Sequence, residues 1–181
     1  MIYIDNLNNI NERERNDILR LIQAGFNRSD DMLLGMNNPV VCYMVEQDRV
    51  IGVIFGDISN TRMMMKPLKN KVLYIHTIAV DKEYRGNRIS EKLVKRLVSV
   101  YKKDHAIYLH VRTTDDSNNK PNYAAIKSYE RCGFVLINPV YVDRDDGPNN
   151  VMVLLSQIKP NIVNKKKKTK KKKTKRRYRY I

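Results

Sequence analysis

Residues 72–90 read VLYIHTIAVDKEYRGNRIS, and the organisation of the whole chain follows from them. The opening VLYIHTIAV is apolar on both faces, the mark of a strand in the middle of a sheet. A short polar turn follows. Beyond it Ile89, Leu93, Leu97 and Tyr101 fall four apart and are joined by Val94 and Val98, which gives an amphipathic helix. A strand that feeds directly into a helix leaves the first backbone N–H groups of that helix pointing at the turn. Such an end is an anion site, and phosphate is its usual guest. Arg85 and Arg88 add positive charge to it.

Working outward, IYIDNL (2–7) alternates apolar and polar and reads as a strand. Asn11, with Glu14 three residues on, starts a helix that carries Ile18, Leu19, Leu21 and Ile22 and ends near Gly25. Residues 26–38 are irregular, with a short helix over 30–35. VVCYMVE (40–46) and VIGVIFGDI (50–58) form a hairpin, and 59–70 is a loop. After the central strand and helix, AIYLHV (106–111) is another strand and 113–120 a loop. Pro121 opens a further helix that Gly133 closes. FVLINPVYV and NVMVLLSQI are the last two strands, joined by RDDGPNN. The class is α/β, with a mixed central sheet of about seven strands and about four flanking helices.

The helix after Pro121 carries NYAAIKSYERCGF (122–134). Asn122 and Tyr129 lie seven apart, about two helical turns, so they share a face with the small Ala125 between them. Together with the phosphate turn, this segment resembles the GCN5-related N-acetyltransferase (GNAT) superfamily over residues 2–158. The family turn Q/R-x-x-G-x-G/A is offered here as Arg85-Gly86-Asn87-Arg88-Ile89-Ser90. The helix motif N-x-x-A-x-x-x-Y-x-x-x-G-F is matched at Asn122, Ala125, Tyr129, Gly133 and Phe134. Arg88 stands where the family has Gly, and Ser90 where it has Gly or Ala. An Arg there is expected to point outward or to grip a phosphate oxygen itself.

The resemblance implies acetyl-CoA as cosubstrate, and no metal. Residues 85–90 and Asn122 would hold the cosubstrate, with the backbone of Ile78, Ala79 and Val80 along its pantetheine arm. LYIHTIAV and IYLHVRTT narrow the likeness to protein N-terminal acetyltransferases of the NatE and NatF type. On that likeness Tyr74 and His110 act through water as general base for the amine. Tyr129 serves the departing thiolate, and His76, Phe26 and Tyr141 contact the acceptor. The implied acceptor is a protein or peptide N-terminus. The chemistry of amines agrees: an α-amine of pKa about 7.8 is roughly one-tenth neutral at pH 7, whereas a lysine near about 10.4 is neutral several hundredfold less often. Lysine therefore calls for a strong base, usually a carboxylate, and residues 72–80 contain none. The other readings of the same residues are acetylation of lysine, a polyamine or an amino sugar, and a degenerate domain that binds nucleic acid through a basic tail.

That tail dominates the composition. Of 35 Lys+Arg against 19 Asp+Glu, 12 basic residues and no acid lie in KKKKTKKKKTKRRYRYI (165–181), so +16 overall becomes +4 before it. The chain divides into an acetyltransferase domain over 1–160 and a Lys/Arg-rich tail over 161–181, without apolar periodicity and expected to be disordered. Non-specific nucleic acid or an anionic surface is the partner its charge suits. Apolar residues at 42% suffice for a core. No apolar run spans a membrane and no signal peptide is visible. Cys42 and Cys132 read as reduced thiols, so the expected location is intracellular, cytoplasmic or nuclear, not secreted. Cutting the chain after Asn164 is expected to leave turnover of a short neutral peptide unchanged. It should abolish duplex-DNA binding whose log K falls with log salt at a slope of about −5 if six charges meet phosphates. A collapse of turnover would put the tail inside the active domain.

Overall fold

The computed structural model describes residues 1–26, 38–59, 71–112, 122–143 and 147–154. Seven strands form one sheet: β1 (Ile2–Asn6), β2 (Pro39–Glu46), β3 (Arg49–Ser59), β4 (Lys71–Val80), β5 (His105–Arg112), β6 (Phe134–Asp143) and β7 (Gly147–Leu154). Three α-helices flank it among the described residues: α1 (Glu12–Phe26), α2 (Ile89–Tyr101) and α3 (Tyr123–Arg131). The expected short helix over 30–35, the loops at 60–70 and 113–120, Pro121, residues 144–146 and the tail lie outside the described residues. Strand order is β1-β2-β3-β4-β5-β7-β6, with β4 and β5 parallel and every other pair antiparallel.

Local chemistry accounts for the elements. Asn11 Oδ1 accepts the Glu14 N–H at 2.9 Å, capping α1 as its sequence requires. Gln47 and Asp48 both have positive φ, 47° and 58°, the two-residue turn whose twist suits a hairpin. Gly133, at φ 89°, ends α3 and donates its N–H to the Glu130 carbonyl. The N-cap of α3 is Asn122, so that helix begins after the asparagine rather than at Pro121. The last strand begins at Gly147, three residues before the apolar run, because the ladder with β6 extends through Pro148 to Gly147.

Two apolar layers enclose the sheet. Ile89, Leu93, Val94 and Leu97 of α2 are buried with Ile54, Leu73, Ile75, Ile107 and Leu109. On the opposite face Ile18, Leu21 and Ile22 of α1 are buried with Val41, Tyr43, Val53 and Phe55. Strand alternation divides the β3 side chains, sending Ile54 to α2 and its neighbours Val53 and Phe55 to α1.

Two features of β4 open the middle of the sheet. Phe55 pairs with Thr77 but Gly56 with Ile75, so His76 is the extra residue of a β-bulge. A Cβ on Gly56 would lie 2.9 Å from the Tyr74 carbonyl oxygen, so this close approach needs glycine. The ladder to β5 runs from Lys71↔His105 to Ile75↔Leu109 and stops. Beyond it β4 stays with β3 as far as Val80↔Gly52, while β5, paired with β7 from Tyr108↔Val153, continues with β7 alone to Arg112↔Asn149. The sheet therefore divides into two halves at the carboxyl ends of its parallel strands.

Asp81, immediately after β4, ties this end to α1 and β3. Its carboxylate is buried, accepts the Glu83 N–H at 3.2 Å, and faces Arg20 at 3.3 Å and Arg49 at 3.5 Å. Burial alone would raise its pKa, but the Glu83 N–H and the two guanidinium groups outweigh it and hold the carboxyl below its ordinary value. A depressed folded-state pKa gives stability that is present above the unfolded value near about 3.9 and lost as pH falls through the folded one. Because both arginines are half-exposed, Asp81→Asn is expected to cost only about 1 kcal/mol at pH 7, roughly 2–4 °C in Tm. Thermal melts should show that difference shrinking toward zero in strong acid. A difference independent of pH would contradict the assignment.

Candidate active site

The division of the sheet makes a wedge with β4 on one side and β5 on the other. Along β4, Ile78 and Val80 pack half-buried on the α2 face and Ala79 is buried on the α1 face. What this strand offers the wedge is an extended backbone, the kind of edge to which an extended amide-bearing ligand adds by hydrogen bonding. The edge leads directly into the turn.

The turn is built from residues 81–88. Lys82–Tyr84 form one turn of 3-10 helix, and Arg85 donates Nε–H to the Val80 carbonyl at 3.3 Å. Asn87 Nδ2 donates to the Tyr84 carbonyl at 3.1 Å, so these two side chains hold the loop itself. Gly86 has φ 87°, and a Cβ there would have nothing within 4 Å; its need for glycine is conformational. Arg88 is the N-cap of α2 at φ 55°, ψ 30°, with no side-chain capping bond. It adopts the left-handed geometry that glycine adopts freely, and its side chain is exposed. Ile89 is buried beneath the turn, leaving its backbone to face a ligand, and Ser90 is half-buried. The turn thus has two left-handed positions, Gly86 and Arg88, both exposed.

At the base of the wedge, Tyr74 and His76 meet edge to face with ring centroids 4.5 Å apart. The parallel register sets Tyr74 level with Tyr108 and Ile75 with Leu109, so the backbone of His110 begins where the strands part, level with the bulge at His76. The side chains of His110, Phe26 and Tyr141 lie outside the described residues. Asp57 of β3 is the carboxylate nearest Tyr74 in register, and its Oδ1 accepts the Asn38 N–H at 2.8 Å.

α3 brings the remaining candidates. Asn122 caps the helix through its carbonyl, which accepts the Ile126 N–H at 3.2 Å, while its side-chain amide makes no capping bond. Tyr129 packs against the α2-side core, and burial pushes its phenol well above the ordinary value, with Cys132 adding to the shift. A phenol so placed keeps its proton and can donate a hydrogen bond. Ser90 and Ser128 hydroxyls approach to 3.5 Å, and Arg131 reaches Glu91. Sequence reasoning missed Glu91 and Arg131. They are 40 residues apart, and either alone reads as an ordinary surface charge on a helix. Among the described residues no cluster of His, Cys, Asp or Glu could hold a metal ion, and no helix is long and apolar enough to cross a membrane.

Comparison with known proteins decides the family. The Acetyltransferase (GNAT) family profile matches residues 8–134. The chain belongs to this family. It carries the fold of that family. A probable N-acetyltransferase of Arabidopsis thaliana, HLS1, is 28% identical over 99 residues, 50% of this chain and 23% of that protein. The chain thus matches about a quarter of the length of this curated relative. Among solved structures, the NatC complex bound to Gag peptide and CoA superposes with TM-score 0.62 at 21% identity, covering 84% of this chain and 97% of that one. An aminoglycoside 6'-N-acetyltransferase complexed with coenzyme A gives TM-score 0.61 at 15% identity, covering 83% and 95%. At such identities the likeness is one of fold.

Arg88→Gly is the direct test of the turn. Relief of left-handed strain, about 1–2 kcal/mol, exceeds the extra chain entropy of glycine, about 0.4–1 kcal/mol, so Tm should hold or rise slightly. Acetyl-CoA titrations of the same variant should show weaker binding at low salt and a smaller difference at high salt. A clear fall in Tm would contradict the strain argument.

Proposed function

We propose that this chain transfers acetyl from acetyl-CoA to the α-amine of a protein or peptide N-terminus, by direct attack of the amine in a ternary complex. The observation that carries the reading is the division of the sheet immediately beyond Ile75 and Leu109, with Tyr74 and His76 in contact at its base. The β4 backbone from Ile78 to Val80 and the turn from Arg85 to Ser90 would bind and orient the donor, with the amide of Asn122 beside it. This orientation presents the thioester to one opening of the wedge and leaves the other for the amine.

In this reading Tyr74 and His110 take the proton of the amine through water, as their family resemblance implies. A relay of phenol and imidazole suits an amine that is partly neutral already. Asp57, the carboxylate a lysine acetyltransferase could draw on, is engaged with the Asn38 N–H. Tyr129 holds a proton at Oη to hydrogen-bond the departing thiolate, and its half-buried, neutral phenol supports that role. His76 stands at the acceptor side of Tyr74, and Phe26 and Tyr141 are proposed to contact the peptide terminus. The NatC structure, with peptide and CoA together, gives the α-amine reading a precedent on this fold; the aminoglycoside enzyme gives the amino-sugar reading one.

Incubating the full chain with acetyl-CoA and a panel of peptides differing at the first two residues should add one acetyl group to the N-terminus, located by fragmentation mass spectrometry. Tyr74→Phe and His110→Ala should each lower kcat by about 100-fold with the fold intact. Acetylation of N-blocked lysine peptides or amino sugars, with every free N-terminus untouched, would overturn the α-amine reading. Full activity in both variants would overturn the base assignment.

A further inference from the structure

α3 is a short element with a demanding task. It spans nine residues and none of its side chains is fully buried; Ala125, Ile126 and Tyr129 pack half-buried against the α2-side core. Yet it carries both Asn122 and Tyr129. Its contacts with the first turn of α2 are polar and closely spaced. Arg131 donates Nε–H to Glu91 Oε1 at 2.8 Å, and its Nη2 lies 2.6 Å from the same oxygen. Ser128 meets Ser90, and Cys132 Sγ donates to the Glu91 carbonyl at 3.8 Å. Tyr129 sits between these anchor points in sequence.

Glu91 is 5% exposed, and a buried carboxylate without a partner would be costly. The Arg131 hydrogen bond is the chief reason its carboxyl stays below the ordinary range. Its location is unusual for a site that must hold phosphate. The first turn of α2 is the positive end of the helix, and a free carboxylate there would compete with an anionic donor for the same field. Pairing with Arg131 cancels that competition and brings α3 to the spot in one contact.

We infer that Glu91 and Arg131 form a positioning pair that locks α3 to the first turn of α2 and so fixes Tyr129 relative to the donor-binding turn. The inference rests on the acetyl-transfer reading and adds to it residues that touch neither donor nor acceptor. The pair acts through Tyr129. Its loss should therefore appear in the step that uses Tyr129, and should disappear when Tyr129 has no hydroxyl to place.

The test is a double-mutant cycle on the full chain, with steady-state kinetics below the melting transition of every variant. Arg131→Met should lower kcat about tenfold and raise KM for acetyl-CoA by freeing the Glu91 carboxylate, Glu91→Gln should lower kcat with that KM within about twofold, and Arg131→Lys should recover part of the loss. Tyr129→Phe combined with Arg131→Met should be no slower than Tyr129→Phe alone, the non-additivity expected of coupled residues. Glu91→Gln, nearly isosteric, repeats the measurement if Arg131→Met does not fold. Losses that multiply in the double variant, or a wild-type kcat in Arg131→Met, would overturn the pair as a positioning device while leaving the acetyl-transfer reading standing. A wild-type chain inactive on every amine would overturn that reading and the role of the pair with it.

Discussion

Everything at the site depends on where one parallel ladder stops. β4 and β5 pair from Lys71↔His105 to Ile75↔Leu109, and then each continues with a different neighbour. A parallel pair in the middle of a sheet ordinarily satisfies its backbone along its whole length. Here the bulge at His76 bends β4 away from β5, while β7 keeps hold of β5 through His110↔Val151. The result is an opening inside the sheet with extended backbone along its edges and the Tyr74 and His76 rings at its base. Gly56 permits it by allowing close approach to the Tyr74 carbonyl.

The opening is useful because a helix end and a helix face are brought to it. β4 runs directly into the turn that starts α2, so edge and anion cradle are continuous in sequence and cannot drift apart. α3 has no such covalent shortcut; it returns from β5 through residues outside the described set. Its placement relies on contacts with α2, and the Glu91–Arg131 pair is the shortest of these. This asymmetry explains why the turn before α2 is encoded locally while the placement of α3 depends on tertiary chemistry.

Most of the fold was legible for the same reason. The apolar run 72–80, the four-residue spacing from Ile89 to Tyr101, the cap at Asn11 and the glycine at 133 are local signals, and the structure realises each of them. The pairing order was not legible, because nothing local says that β7 inserts between β5 and β6. The bulge at His76 was hidden too: the run VLYIHTIAV alternates no differently there, and the extra residue emerges only in register with β3. Arg88 illustrates the opposite case. Its departure from the glycine of the family turn was plain in the sequence, and the structure shows the backbone keeping the left-handed geometry despite it. Glu91 and Arg131 carried no signal at all until the two helices were placed side by side.

On the proposed function the donor binds as an added strand in the opening, from the β4 edge into the α2 turn. Amide hydrogen exchange on the full chain, with and without saturating acetyl-CoA, tests it most directly. Added protection should concentrate in 78–80 and 85–90, with β1 and β2 unchanged. Binding that protects another part of the sheet, or leaves both of those stretches as they were, would contradict it.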